Sequence, residues 1–295
     1  MSAKKLLLTL ALALLLCCPP TLAAPRQLRV LSVGNSYSVD AFVYMPFVMR
    51  NMAPDINLTL GILYRGSGSL QKHWNGRITL PDGVTQTYYE CTGARKWVDC
   101  GTHTLEQLTD STTYQWDIVI LQQASNYSRL YGYYQPYLNY LLNYISGRQR
   151  KTLLFAWLLT PAYPDGYYNL GSSNSDRMFY DVANCAKRLM EQTTVSILLP
   201  GGTAIQNARH TPLDTIGQFG HLSYDGLHLQ EGLPCLINCY AATAALLSAI
   251  GHEADLGDDY LDVNIDWLRV VGKMDYRGEL QMSSLDYPCL LLISP

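Results

Sequence analysis

Two short segments of this chain hold the parts of an activated nucleophile. Gly34-Asn35-Ser36-Tyr37-Ser38 sets a serine just behind an apolar run, and Asp225-Gly226-Leu227-His228 sets a carboxylate three residues before an imidazole. A serine hydroxyl attacks a carbonyl only with a base beside it, and the base needs an acceptor that fixes its tautomer. Taken singly, each segment also has an ordinary reading. Asn and Ser after a strand cap helices, and an Asp before a Gly makes a turn.

Two further segments could stabilise the charge that such an attack creates. In Arg65-Gly66-Ser67-Gly68-Ser69 small residues let backbone N–H groups approach an oxyanion. Gln122-Gln123-Ala124-Ser125-Asn126 follows an apolar run with side-chain amides, which are N–H donors. Flexible exit loops and Asx-type turns are the plainer explanations of both.

All four segments need a scaffold that brings them to one rim. Apolar β-rich runs alternate with helical patterns, which predicts an α/β fold. The expected form is a three-layer sandwich: a mostly parallel five-stranded sheet with helices on both faces. The strands are read at Leu28–Val33, Ile56–Tyr64, Trp116–Gln122, Thr152–Leu159 and Val195–Leu199. Helices are expected over about Asp40–Met52, from Ser175 as cap, and over about Glu231–Ile250 with Pro234 in the first turn. Residues 78–100 break the alternation, and Pro81-Asp82-Gly83 suggests the turn of an inserted hairpin. In open α/β sheets, ligands lie outside the carboxyl ends of the strands, where the four segments would meet.

The first 23 residues read as an export signal. Lys4 and Lys5 precede the apolar Leu6–Leu16, and Thr21-Leu22-Ala23 makes a small-residue exit. Residues 24–295 would then form one domain, secreted or periplasmic, with lipid attachment at Cys17 or Cys18 as the rival reading. Of 21 basic and 24 acidic residues, loss of the two lysines leaves 19 against 24, a net charge of −5. That balance, without a basic cluster, argues against nucleic acid as a partner, and no integral membrane segment is expected in the mature chain. Six cysteines remain after the signal, with Cys91 and Cys100 the favoured disulfide pair. No cysteine or histidine spacing suggests zinc, and no metal or cofactor is expected.

The segments GNSYSVDA, YRGSGSLQKHW, WDIVILQQASN and SYDGLHLQEG resemble, in the same order, the four blocks of the SGNH (GDSL-like) hydrolases, in a branch with GNS-type first blocks. The resemblance covers nearly the whole mature chain and implies the flavodoxin-like SGNH fold. It implies Ser36 as nucleophile and oxyanion donor through its own N–H, His228 as general base then acid, and Asp225 as its orienting partner. Gly68, or one register earlier Gly66, would give the second backbone donor, and Asn126 the amide donor. The chain departs from the pattern twice: Asn35 stands where the blocks usually carry Asp, and Ala124 replaces the third-block glycine. Gln123 is therefore an alternative amide donor. Asn126-Tyr127-Ser128 also matches a glycosylation acceptor, and a glycan there would exclude the oxyanion role.

His73, beside the oxyanion glycine, and Tyr127, first of a tyrosine-rich stretch, are the expected substrate contacts. Tyr133, Tyr137, Tyr140 and Tyr144 occur at near-helical spacing and are read mainly as packing. Together these features point to a serine esterase removing acetyl or similar groups from a carbohydrate. The alternative is a carbohydrate-binding protein that keeps the fold without turnover.

Overall fold

A computed structural model describes residues 25–171 and 173–252. The export signal, Cys17, Cys18, Cys289 and the chain beyond residue 252 lie outside the described residues.

Strand β1 (Arg26–Gly34) runs into helices α1 (Ser36–Phe42) and α2 (Met45–Met52), then β2 (Ile56–Tyr64) and α3 (Leu70–Asn75). The hairpin β3 (Thr87–Thr92) and β4 (Val98–Thr102) precedes α4 (Leu105–Leu108). There follow β5 (Ile118–Leu121), α5 (Tyr137–Arg148), β6 (Leu154–Leu158), α6 (Ser175–Gln192), β7 (Val195–Leu199), α7 (Gly201–Arg209) and α8 (Leu233–Ala249). The sheet order is β4-β3-β2-β1-β5-β6-β7. Five strands pair in parallel, as expected, but the sheet has seven: β3 joins β2 antiparallel and carries β4 outward.

Alternation along the strands builds two cores. Val30, Ile118 and Ile120 face α1, α2, α7 and α8, whereas Leu31, Val33, Val119 and Leu121 face α3, α5 and α6. Each is buried to 1 % exposure or less. A strand buried on both faces reads as a continuous apolar run, which is why the sequence marks these strands clearly. Helix α8 is apolar on most sides and almost wholly enclosed.

Local details depart from the expectation. The single helix over residues 40–52 is two, because the chain turns at Val43–Tyr44 and Pro46 starts the second. Asn174, not Ser175, caps α6 through its side chain. The hairpin turns within residues 93–97 rather than at Pro81-Asp82-Gly83. Cys91 and Cys100 are free thiols. The ladder pairs Glu90 with Val98 and Thr87 with Thr102, so the two cysteines are about three positions out of step. One faces the core and the other solvent, which a disulfide cannot bridge.

Candidate active site

Beginning at the exit of β1, Asn35 caps α1 by accepting the Tyr37 N–H, and Ser36 is the first residue of the helix. Asn35 is buried, and its amide is the centre of a polar network. Its Nδ2 donates to Gly68 O at 2.9 Å, and its Oδ1 accepts from Gln122 Nε2 at 2.7 Å. Gln122 Oε1 in turn accepts from Ser38 Oγ at 2.6 Å, and Ser32 Oγ lies 2.9 Å from Ser38 Oγ. The exits of β1, β2 and β5 are thereby tied to one another behind the serine. This explains why asparagine occupies position 35: an aspartate could accept these bonds but could not donate to Gly68. Gly34 is required by space, since a Cβ there would lie 2.2 Å from Ser38 Oγ.

The second half of the site is the loop before α8. Asp225 Oδ1 accepts the N–H groups of Leu227 and His228, folding the segment so that Asp225 Oδ2 meets His228 Nδ1 at 2.8 Å. His228 Nε2 lies 2.9 Å from Ser36 Oγ, across 192 residues of sequence. A carboxylate only accepts, so Nδ1 carries the proton and Nε2 is free to accept from the serine hydroxyl. Partial burial pushes the Asp225 carboxyl up. Hydrogen bonds from the His228 backbone and ring and from Leu227 outweigh this and hold it below the usual carboxylate range. Asp40 ties the two halves together: its Oδ2 on α1 accepts the Leu229 N–H at 3.0 Å. Burial pushes that carboxyl up to about 7, against the opposing pull of the Leu229 hydrogen bond.

The remaining expected residues divide. Gly68 lies at the site, but its N–H is spent on Arg65 O at 2.9 Å. Space makes it glycine, since a Cβ would lie 2.6 Å from His73 Nε2. Gly66 is exposed, just past the β2 end that pairs with Gly34. Gln123 is buried: its Oε1 accepts from Leu70 N and Ala124 N, and its Nε2 donates to Tyr133 O. It thus braces the loop, and its neighbour Gln122 reaches the serine turn. Asn126 is exposed.

His73 is enclosed rather than placed to meet a substrate. Burial, with the Arg65 guanidinium adding to it, pushes the imidazole down to about 4, so the ring is neutral. In the tautomer with hydrogen on Nε2, it donates to Gly34 O at 3.1 Å. Tyr127 stacks on Tyr133, with ring centroids 4.5 Å apart. The other histidines have partners of their own. His221, His210 and His252 each pair with an aspartate (Asp214, Asp176 and Asp55), and His103 meets Gly101 O.

Residue-by-residue reading names Gln122 and Ser38 only as members of their segments and passes over Asp40; their partners lie up to 189 positions away. It also overlooked a cleft of about 460 Å³ beside Ser36. One face of α1 (Val39, Asp40 and Val43) forms one wall, and Ile62 and Tyr64 of β2 form the floor. Tyr89 and Trp97 close it from the hairpin. Among the described residues, no helix is long and apolar enough to cross a membrane.

A mostly parallel sheet with a serine at the exit of its first strand, joined by hydrogen bonds to an Asp-x-x-His loop before the last helix, defines an α/β protein that carries a Ser-His-Asp arrangement at one rim of its sheet. Within that class, the chain belongs to the DUF4886 family, a domain of unknown function, whose family model matches residues 29–253. It is similar to the crystal structure of a DUF4886 family protein from Bacteroides uniformis, at 27% identity over 76% of this chain and 82% of that one, with a TM-score of 0.64. A candidate SGNH hydrolase from Slackia heliotrinireducens matches at 16% identity, 76% and 98% coverage and a TM-score of 0.48. The acetylxylan esterase Axe2 from Geobacillus stearothermophilus matches at 12% identity, 78% and 97% coverage and a TM-score of 0.46. No match was found among curated proteins.

Proposed function

We propose that this protein is a serine carboxylic ester hydrolase, with Ser36 as nucleophile. The observation that carries the reading is the continuous line Ser36 Oγ–His228 Nε2, His228 Nδ1–Asp225 Oδ2, at 2.9 and 2.8 Å. Both distances are those of working hydrogen bonds.

As the Ser36 oxygen bonds to the ester carbonyl carbon, its proton passes to His228 Nε2, and Asp225 stabilises the imidazolium. The tetrahedral oxyanion is met by backbone N–H groups at the turn. Ser36 N–H is one, and Gly66 is the second-block glycine that remains once Gly68 is committed to Arg65. Collapse expels the alcohol, which takes the proton from His228 and leaves an acyl group on Ser36. Water, deprotonated by His228, then releases the acid and restores the hydroxyl.

For the alcohol side, we retain the carbohydrate reading in an export setting. Its support is an aromatic rim beside the Asp225–His228 loop. A Cβ on Gly226 would touch Tyr167 and Phe219, and Tyr168 and Tyr224 are 80% and 52% exposed. Exposed aromatic faces stack on sugar rings while their hydroxyls stay wet. The acetyl half of the expectation fits the cleft less well and is taken up below. Nothing in the hydrogen-bond line favours the alternative, a binding protein without turnover.

Hydrolysis of 4-nitrophenyl esters by the purified chain, beside Ser36→Ala and His228→Ala, tests the reading. Turnover in the wild type and loss by about 10⁴-fold or more in both variants is expected. Equal turnover in all three would overturn it.

A further inference from the structure

The cleft beside Ser36 is too large and too apolar for an acetyl group. Its 460 Å³ equals the liquid volume of roughly fifteen waters, so a two-carbon acyl group would leave most of it unfilled. Its walls are Val39 and Val43 from α1, Ile62 from β2, and the rings of Tyr64, Tyr89 and Trp97. Besides the Tyr64 and Tyr89 hydroxyls, the polar groups of this lining are largely spoken for. Trp97 Nε1 donates to Val43 O at 2.9 Å, Asp40 Oδ2 accepts from Leu229, and Ser36 meets His228. A sugar ring in this cleft would bury several hydroxyls with few partners beyond those two phenols, at about 1–3 kcal/mol for each one left unsatisfied. An apolar group has no such cost, and it gains from every methylene that leaves water.

We propose that this cleft is the acyl pocket, and that the enzyme selects esters of apolar acids of about six to ten carbons. This rests on the esterase reading above and specifies its substrate. The hairpin is the determinant. Trp97 is fixed to the end of α1 by its indole hydrogen bond, and the rings of Tyr89 and Tyr64 meet edge to face at 6.3 Å. Residues from the two elements therefore face each other across the space next to the nucleophile. Flat rings and straight chains share this apolar chemistry, and both belong in the test.

The experiment measures kcat/KM of the full chain on 4-nitrophenyl acetate, butyrate, hexanoate, octanoate and cinnamate. Ethyl octanoate and octyl acetate then separate the acyl from the alcohol side. We expect octanoate or cinnamate to exceed acetate by at least about tenfold, each buried methylene being worth up to about fourfold. Ethyl octanoate should be preferred to octyl acetate. Tyr89→Ala and Trp97→Ala should each reduce the octanoate value about ten times more than the acetate value. Val43→Phe, which narrows the cleft without removing the indole bond, should shift preference towards acetate and guards against an unfolded hairpin in Trp97→Ala. A steady fall from acetate to octanoate, preference for octyl acetate, or equal losses on all esters in the variants would each overturn the proposal. Labelling of Ser36 by a fluorophosphonate marks such a result as failure of the pocket assignment alone. Absence of both labelling and turnover would remove the esterase reading, and this proposal with it.

Discussion

Ser36 borders two regions built on different physics. On one side lies the rim of the parallel sheet, where Asn35, Gln122, Ser38 and Gly68 are joined by short buried hydrogen bonds. On the other lies the hairpin β3–β4, added to the edge of the sheet, which reaches the serine only through the apolar walls of the cleft. Buried polar networks tolerate little change, because a removed partner leaves another group unsatisfied. Apolar walls tolerate change of shape at moderate cost. The rim is suited to hold a reaction constant, and the hairpin to alter what is accepted.

That contrast can be broken at several points. The largest effect should come from the triad itself. Asp225→Asn keeps the shape of the side chain but no longer enforces the tautomer, and should lower kcat by about 10³–10⁴ with little change in KM. A loss confined to KM would place Asp225 outside the chemistry. Next comes the network behind the serine. Asn35→Asp sets a carboxylate against Gly68 O and removes its donor, which should cost about 1–3 kcal/mol of stability. The variant should still read as less active on every ester, without altering chain-length preference. Thermal unfolding together with the ester series would show it. A changed preference with unchanged stability would contradict the division between rim and hairpin.

A separate effect, seen only as pH changes, concerns Asp40, the tie between α1 and the histidine loop. Its folded carboxyl titrates near 7, while an unfolded one titrates in the ordinary carboxylate range. The protonated form is thus favoured by folding. This group's contribution to stability is fully present at acidic pH, below the unfolded value, and declines as pH rises towards 7, by at most on the order of 4 kcal/mol. Asp40→Asn can still accept the Leu229 N–H without ionising. Its Tm should match the wild type near pH 4 and exceed it near pH 8. His73 acts in the opposite sense, since folding holds it neutral and stability falls as pH drops from about 6.5 to 4. The wild-type/Asp40→Asn difference isolates the first group from the second. A difference independent of pH would mean that Asp40 is not buried as described.

Much of this was legible in the residues. Four of the parallel strands stand out because both faces are buried, β7 by its alternating Val195, Ile197 and Leu199, and the Asp225–His228 pair is visible because the two side chains are three residues apart. Meeting of Ser36 and His228 is a long-range event, and only the resemblance of ordered blocks pointed to it. Asn35 was legible as a departure from the usual Asp but not as a requirement, because its reason lies in Gly68 and Gln122 at distant strand ends. Gln122 was hidden beside Gln123: adjacent identical residues on a strand exit point opposite ways, and sequence cannot say which faces the site. The hairpin was located but its turn was misplaced: Pro-Asp-Gly does turn the chain, Val84 N donating to Pro81 O at 3.1 Å, but ahead of the hairpin. The cleft had no sequence signature. Its walls come from three elements, and only folding brings Val43 to Trp97.

The most direct test of the central claim is the mass and position of a fluorophosphonate adduct on wild type and on His228→Ala. If the hydroxyl is activated by the imidazole beside it, wild type takes up one adduct, on the peptide containing Ser36, and the histidine variant takes up little or none over the same period. An adduct on another residue, or equal labelling of both proteins at Ser36, would contradict the account.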